Sequence, residues 1–230
     1  RTQSKKNILI VGDSHSKDLF NALYLNTHLF KEYELARYAI LADSFSEIDA
    51  LVASPNFRDA DIVIVSMRYG NSPDREESII SALPAFLEKL NGEKEHILVS
   101  SSTPTFMKST RRTTLFDRLI KKNLSDKDSL SSFSNKLNAT YYEHLDRQVD
   151  EKNKLIQKIT EQLGLAYLSK DELVCERLEK ICFGVTPDGY KTFYDYGHWT
   201  LEGAKYFGER IYQSNWLEMN SISEAIDSDE

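Results

Sequence analysis

A chain of 230 residues, 40% hydrophobic and 28% charged, has the make-up of a soluble globular protein. It is long enough for one α/β domain with a substantial core, or at most two small ones, and we expect one. The formal net charge of -7 argues against nonspecific binding to nucleic acid, which needs a basic footprint, and no apolar run approaches the roughly 20 residues that a membrane-spanning helix requires. The chain opens at Arg1 with neither methionine nor a signal-like segment, which predicts a processed product or an excised domain.

The first pattern is Ile8-Leu9-Ile10-Val11, bounded by Lys5-Lys6-Asn7 and Gly12. Four apolar residues in a row suit a parallel strand buried on both faces, and Leu19, Phe20 and Leu23 then recur on one helical face. Gly12-Asp13-Ser14-His15 is thus a strand-to-helix junction. It sets Ser14 at the carboxyl end of a strand, where open α/β sheets bind ligands, beside helix N–H groups that can stabilise an anion. The same residues also fit a plain turn with serine as N-cap, so the reading needs a partner base elsewhere. His28 is placed at the end of this helix, facing its negative pole.

Glu34 to Ile40 reads as a second strand and Phe45 to Ala53 as a short helix. Asp61 to Met67 is the clearest strand of all, being nearly all apolar or β-branched. Ser78 to Leu90 is helical through Ile79, Ile80, Leu83, Phe86, Leu87 and Leu90, with Pro84 interrupting it. His96 to Ser100 makes a fourth strand, with His96 structural at its start, and Ser101 to Pro104 a loop at the sheet's carboxyl edge. Residues 105–138 are the least regular and are expected to be an insertion. Between Lys108 and Lys122 they hold six basic residues (Lys108, Arg111, Arg112, Arg118, Lys121 and Lys122) against one acid, Asp117. Either this is a solvated helix face or it is a lip over the active edge. Ser-rich Asp126 to Ser134 reads as flexible. Tyr142 to Leu163 restores a helix through Leu145, Val149, Ile156, Ile159 and Leu163, capped by Gly164, with His144 structural. Leu165 to Leu168 is the last strand. Thr200 to Leu217 is the closing helix, and 220–230 an acidic, disordered tail. Strands alternating with helices predict an α/β fold, a three-layer α/β/α sandwich around a central parallel sheet.

Cys175 and Cys182 are the only cysteines. In a continuous helix seven residues would part their α-carbons by about 10 Å, beyond the reach of a disulfide, but nearby Gly184, Pro187 and Gly189 favour a loop that closes easily. A bridge there would brace the approach to residues 195–198 and imply an oxidising compartment. Two buried free thiols are the other reading.

A serine hydroxyl is a weak nucleophile near neutral pH and needs a base, with a third group to orient that base. Asp195 and His198, three apart in the Gly-containing run Tyr194-Asp195-Tyr196-Gly197-His198-Trp199, supply both. No cluster shows zinc-site spacing and no glycine pattern fits a phosphate or dinucleotide loop, so neither a metal nor a cofactor is expected.

Gly12-Asp13-Ser14-His15 early and Asp195-x-x-His198, followed by Trp-Thr-x-x-Gly-Ala, late resemble the two blocks of SGNH (GDSL-like) hydrolases. They are more closely similar to the SGNH domains attached to membrane-bound acyltransferase-3 proteins that O-acetylate bacterial surface glycans. The resemblance implies a flavodoxin-like sandwich over 8–219 with residues 1–7 as the end of a linker. It gives Ser14 as nucleophile, His198 as general base and Asp195 as its orienting acid. It also implies a glycan acceptor (lipopolysaccharide, exopolysaccharide or peptidoglycan) and an acyl donor supplied by a membrane domain outside this chain. The location implied is the periplasmic or extracellular face, tethered to the inner membrane, with the isolated domain a monomer. The strand Asp61–Met67 should lead into Gly-x-Asn-Asp but reads Arg68-Tyr69-Gly70-Asn71, and Leu41-Ala42-Asp43-Ser44 stands where a glycine is expected. For the oxyanion hole this leaves the Ser14 amide, with Arg68 and Asn71 as candidates. On the same reading Arg111 and Arg112 contact an anionic glycan or the membrane partner. Two other readings stand beside this one: a carbohydrate or lipid esterase using the same triad, and a non-catalytic domain, marked by the altered third block, that binds glycan without turning it over.

Overall fold

The computed structural model describes residues 5–70, 73–123 and 130–218. Asn71, residues 126–129 of the serine-rich stretch and the acidic tail 220–230 lie outside them.

The first strand, β1 (Lys6–Gly12), leads into α1 (Ser14–Tyr24), and β2 (Tyr33–Ala39) follows, then α2 (Phe45–Ala53) and α3 (Pro55–Arg58). Next come β3 (Ile62–Ser66), α4 (Pro73–Asn91) and β4 (Ile97–Ser100). Helices α5 (Leu115–Asn123), α6 (Leu130–Glu143) and α7 (Gln148–Gln162) precede β5 (Ala166–Leu168). A short helix α8 (Asp171–Val174), a hairpin of β6 (Cys175–Glu176) and β7 (Ile181–Cys182), and the closing helix α9 (Leu201–Gln213) are the last elements of the described residues. The five main strands are parallel in the order β2-β1-β3-β4-β5.

Strand β1 shows why a wholly apolar run suits a central strand. Side chains alternate between faces, so Ile8 and Ile10 join Leu19 and Leu23 of α1 and Phe207 and Ile211 of α9 in one core. Leu9 and Val11 join Leu51 of α2, Leu83 and Phe86 of α4 and Ile156 of α7 in the other. Each such side chain contributes about 1.5–3 kcal/mol by leaving water. Gly12 ends the strand with φ +147°, where a β-carbon would stand 2.0 Å from the Ser66 carbonyl oxygen. Only glycine lets β1 turn out of the sheet so close to β3. Gly208 plays the matching part in α9: a β-carbon there would lie 2.2 Å from the Ala22 carbonyl oxygen of α1. The close crossing of these two helices sets the loop before α9 beside the start of α1.

Several sequence expectations need correction. The helix expected over 142–163 is two helices. Between them the backbone at 144–146 bonds to the segment 105–107: Met107 N–H donates to His144 O, Asp146 N–H donates to Thr105 O, and Phe106 bridges Leu145. The apolar periodicity runs straight through the break because Leu145, Val149 and Ile156 are all buried. Pro84 sits inside α4 without ending it, and that helix begins earlier than expected, with Asp74 and Glu76 in its first turn. The first helix stops at Tyr24, short of His28. Leu130 to Ser134, read as flexible, belong to α6. Cys175 and Cys182 are disulfide-bonded, facing each other across the β6–β7 hairpin rather than in an open loop, with α-carbons 4.0 Å apart.

Candidate active site

The carboxyl ends of β1, β3 and β4 converge on the start of α1. Asp13 is the N-cap there, and its carboxylate is divided between two peptide N–H groups, accepting from His15 at 2.8 Å through Oδ1 and from Arg68 at 3.1 Å through Oδ2. Its carbonyl accepts from Ser16 N–H, the Ser16 hydroxyl and the Arg37 guanidinium. The junction is thus tied to β2 and β3 as well as to its own helix. Ser14 is exposed at the head of α1, where its N–H has no preceding carbonyl within helical reach.

The opposite wall is the loop 193–199, closed by an antiparallel bridge between Phe193 and Trp199 and by Tyr194 N–H donating to His198 O. Asp195 is buried and accepts from the N–H groups of Gly197 at 3.0 Å and His198 at 2.8 Å. It also lies 2.9 Å from His198 Nδ1 through Oδ2. On the other side of the ring, His198 Nε2 is 2.8 Å from Ser14 Oγ. With a carboxylate against Nδ1, the ring hydrogen belongs there, and Nε2 is left to accept the serine hydroxyl proton.

The electrostatics follow the same pattern. Burial disfavours charge on Asp195, but hydrogen bonds from His198 and the two peptide N–H groups outweigh it and hold the carboxyl below the ordinary range. Burial likewise opposes protonation of His198, yet the Asp195 hydrogen bond and the charges of Asp18, Asp195 and Asp13 raise its pKa above the usual 6.5. His15 goes the other way. It is fully buried, its Nδ1 lies 3.2 Å from Thr103 Oγ1, and its pKa is pushed well down by burial and then by Lys170, His198, Arg68 and Lys152.

Two buried charges below the site escape a reading of the sequence. Asp18, one helical turn after Ser14, has its carboxyl pushed up to about 7 by burial, against the pull of His198, Lys170 and the Trp199 peptide N–H. Lys170, just past β5, is fully buried and brought down to about 8 by burial, with Asp13 and Asp18 opposing. The available signal was an acid at i+4 from the serine, next to Leu19 on a face that must be buried. For Lys170 no local signal exists.

At the rim, Tyr194 stacks on His198 (5.5 Å between centroids, 15°) and Tyr196 meets the same ring edge-on at 5.6 Å. The Arg68 guanidinium lies 4.3 Å over the Tyr196 ring. Since the Arg68 amide is committed to Asp13, its main chain is not free to face an oxyanion, and the guanidinium is what it offers. Arg111 and Arg112 are exposed in a turn closed by Thr110 N–H donating to Thr113 O. That segment is joined to the site loop by Phe106 N–H donating to Tyr196 O at 3.3 Å. Among the described residues no group of three or more His, Cys, Asp or Glu has metal-binding geometry, and no helix is long and apolar enough to cross a membrane.

A family described as "SGNH domain (fused to AT3 domains)" matches residues 1–213. No curated protein matches the chain. Among solved structures, the periplasmic domain of a lipopolysaccharide acetyltransferase from Salmonella ser. Paratyphi A superposes with a TM-score of 0.68 at 18% identity, covering 92% of this chain and 84% of that one. A catalytic mutant of an acetylxylan esterase from Geobacillus stearothermophilus gives 0.52 at 11% identity, over 91% and 94%. A putative lipolytic protein of the G-D-S-L family from Desulfitobacterium hafniense gives 0.52 at 11%, over 91% and 99%. At such identities these likenesses speak for the fold: a parallel five-stranded sheet between helical layers.

Proposed function

This chain belongs to the family of SGNH domains fused to AT3 domains, and from that membership we propose that it is an O-acyltransferase domain that passes an acyl group, most simply acetyl, through Ser14 to a hydroxyl of a bacterial surface glycan. The observation that carries the reading is the continuous line from Asp195 through His198 to Ser14 Oγ, with contacts of 2.9 and 2.8 Å. In the first half-reaction His198 Nε2 takes the Ser14 proton as Oγ attacks the acyl carbonyl. The developing oxyanion faces the N–H groups at the head of α1, and the donor's leaving oxygen departs with the proton from His198. In the second, a sugar hydroxyl gives its proton to Nε2 and attacks the acyl-serine, and collapse returns the proton to Ser14 Oγ. Asp195 holds the imidazole in the needed tautomer throughout. The donor would be presented by the membrane acyltransferase part, and the domain would then work on the periplasmic or extracellular face, tethered to the inner membrane. An oxidised Cys175–Cys182 pair suits that compartment. Arg111 and Arg112 would engage an anionic acceptor or the membrane partner.

The exposure of Ser14 favours a second reading, hydrolysis, because water can reach the same acyl-serine. Intact-mass analysis after incubation with an activated acetyl ester, with and without a glycan acceptor, tests both. Transfer predicts one added acetyl on the wild type, none on Ser14→Ala, and faster loss when the acceptor is present. Loss at the same rate with and without acceptor would favour an esterase. No acetylation, together with no capture of a fluorophosphonate at Ser14, would leave a glycan-binding domain. Arg111→Ala with Arg112→Ala should depress acceptor use more than ester hydrolysis, and equal losses would count against their role.

A further inference from the structure

Arg68 differs from the chain's ion-paired arginines. Arg75, Arg147, Arg177 and Arg210 each meet a carboxylate. Arg68 has no ion pair among the described residues, although it is half-buried. Its main chain is fixed at both ends, the N–H donating to Asp13 and the carbonyl accepting from the Ser102 hydroxyl at 2.7 Å. Asp13, the acid its main chain meets, accepts the His15 and Arg68 peptide N–H groups and makes no ion pair with the guanidinium among the described residues. The guanidinium instead rests on Tyr196, whose ring touches His198. A planar fork of N–H donors, held in place by stacking and left without a counter-charge beside an exposed nucleophile, is built for a carboxylate or phosphate arriving from solution.

We propose that Arg68, held over Tyr196 at the lip of the Ser14 site, binds an anionic group, a carboxylate or a phosphate, on the sugar that accepts the acyl group. The inference rests on the acyl-transfer reading for what the anion is attached to, not for the anion itself. The direction of the ligand follows from the next contact outward. Tyr196 O accepts from Phe106 N–H, and the chain beyond Phe106 carries half-exposed Met107 and the exposed Arg111 and Arg112. An acidic oligosaccharide seated with one anion on Arg68 would have its neighbouring sugars led toward those cations.

The test is calorimetric titration of the whole chain carrying Ser14→Ala, so that nothing is turned over. The ligands are trigalacturonate for the carboxylate, mannose 6-phosphate for the phosphate, and trigalactose and mannose as their neutral counterparts. At least one acid should bind about tenfold or more tighter than its neutral counterpart, a gap of about 1.4 kcal/mol, and the gap should shrink as salt rises from 50 to 500 mM. Added Arg68→Gln should abolish the preference and Arg68→Lys retain part of it. Unchanged thermal melts of both variants show that the fold is intact. Equal binding of acid and neutral ligand, no binding of either acid, or a preference that survives Arg68→Gln overturns the proposal. So does a preference lost only with Arg111→Ala and Arg112→Ala. Fluorophosphonate capture at Ser14 in the wild type separates this from the acyl-enzyme reading. Labelling without acid preference sinks the Arg68 site alone, and acid preference without labelling sinks the acyl-enzyme alone.

Discussion

The imidazole of His15 lies stacked against that of His198, with centroids 4.6 Å apart and planes 27° apart, yet their pKa values move in opposite directions from a common starting point, because burial opposes the charge on both and only His198 has carboxylates that outweigh it. His15 has no carboxylate partner and stays neutral, while His198 has Asp195 and gains a proton more readily. A neutral flat neighbour supports the His198 ring without competing for its proton. His15→Ala should open a cavity beside that ring, costing about 2 kcal/mol of stability and a larger fraction of kcat than of KM for a small ester. His15→Phe, which restores a flat ring, should recover most of kcat. Comparable kcat for the Ala and Phe variants would show that stacking does nothing for the site.

Proton balance at the site makes a second prediction. His198 must be neutral to act as a base, and its pKa is raised, so ester hydrolysis should fall as the pH drops through a value above 6.5. The charges that raise it come from Asp18 on α1, Asp13 at the strand end and Asp195 on its own loop. Asp18→Asn removes one of these and should move the acid limb to lower pH, measured as kcat/KM against pH.

The same substitution has a stability signature. An acid raised from 3.8 to about 7 binds more protons folded than unfolded between those values, so it lowers stability as pH rises through that window. Denaturant melts of Asp18→Asn should compare more favourably with the wild type at pH 8 than at pH 4. A difference that does not depend on pH would mean Asp18 is not held as described.

Asp195→Asn tests the orienting role directly. Asn retains an oxygen for the Gly197 and His198 N–H groups, so the loop should keep its shape, but an amide no longer fixes the hydrogen on Nδ1. Ester hydrolysis should fall on the order of 10^3 to 10^4-fold with little change in melting temperature. A loss below tenfold would remove Asp195 from the proposed mechanism.

What could be read in advance divides along the range of the interactions. Ile8–Val11 and Ile62–Ser66 announce themselves because two-sided burial demands unbroken apolar runs. Asp195 and His198 are legible because three residues in one loop suffice to join them. Their meeting with Ser14 could be anticipated only by matching two distant blocks to one family. The break at 144–147 was hidden because what ends the helix is a partner segment some forty residues earlier, at 105–107. Lys170 was hidden for a related reason: its burial follows from the ends of β4 and β5 closing over it, with Ser101 Oγ accepting its N–H at 2.7 Å.

The Cys175–Cys182 bond closes a short loop at the base of the segment that leads to residues 193–198. For a separation of seven residues, the loss of chain entropy in the unfolded state is worth about 2.5 kcal/mol. In a protein of this size that corresponds to a melting shift of roughly 5–10 °C. Val174 and Phe183 adjoin the two cysteines and link them to the segment that leads to the site loop: Phe183 N–H donates to Val174 O, and Thr192 Oγ1–H donates to Phe183 O at 2.6 Å. Thr192 O in turn accepts from Thr200 N–H, just past His198. The double variant Cys175→Ser with Cys182→Ser should therefore lose stability and also loosen His198, lowering kcat for ester hydrolysis several-fold at a temperature where the protein is still folded. A lower melting temperature with kcat unchanged would confine the bridge to stability and uncouple it from the site.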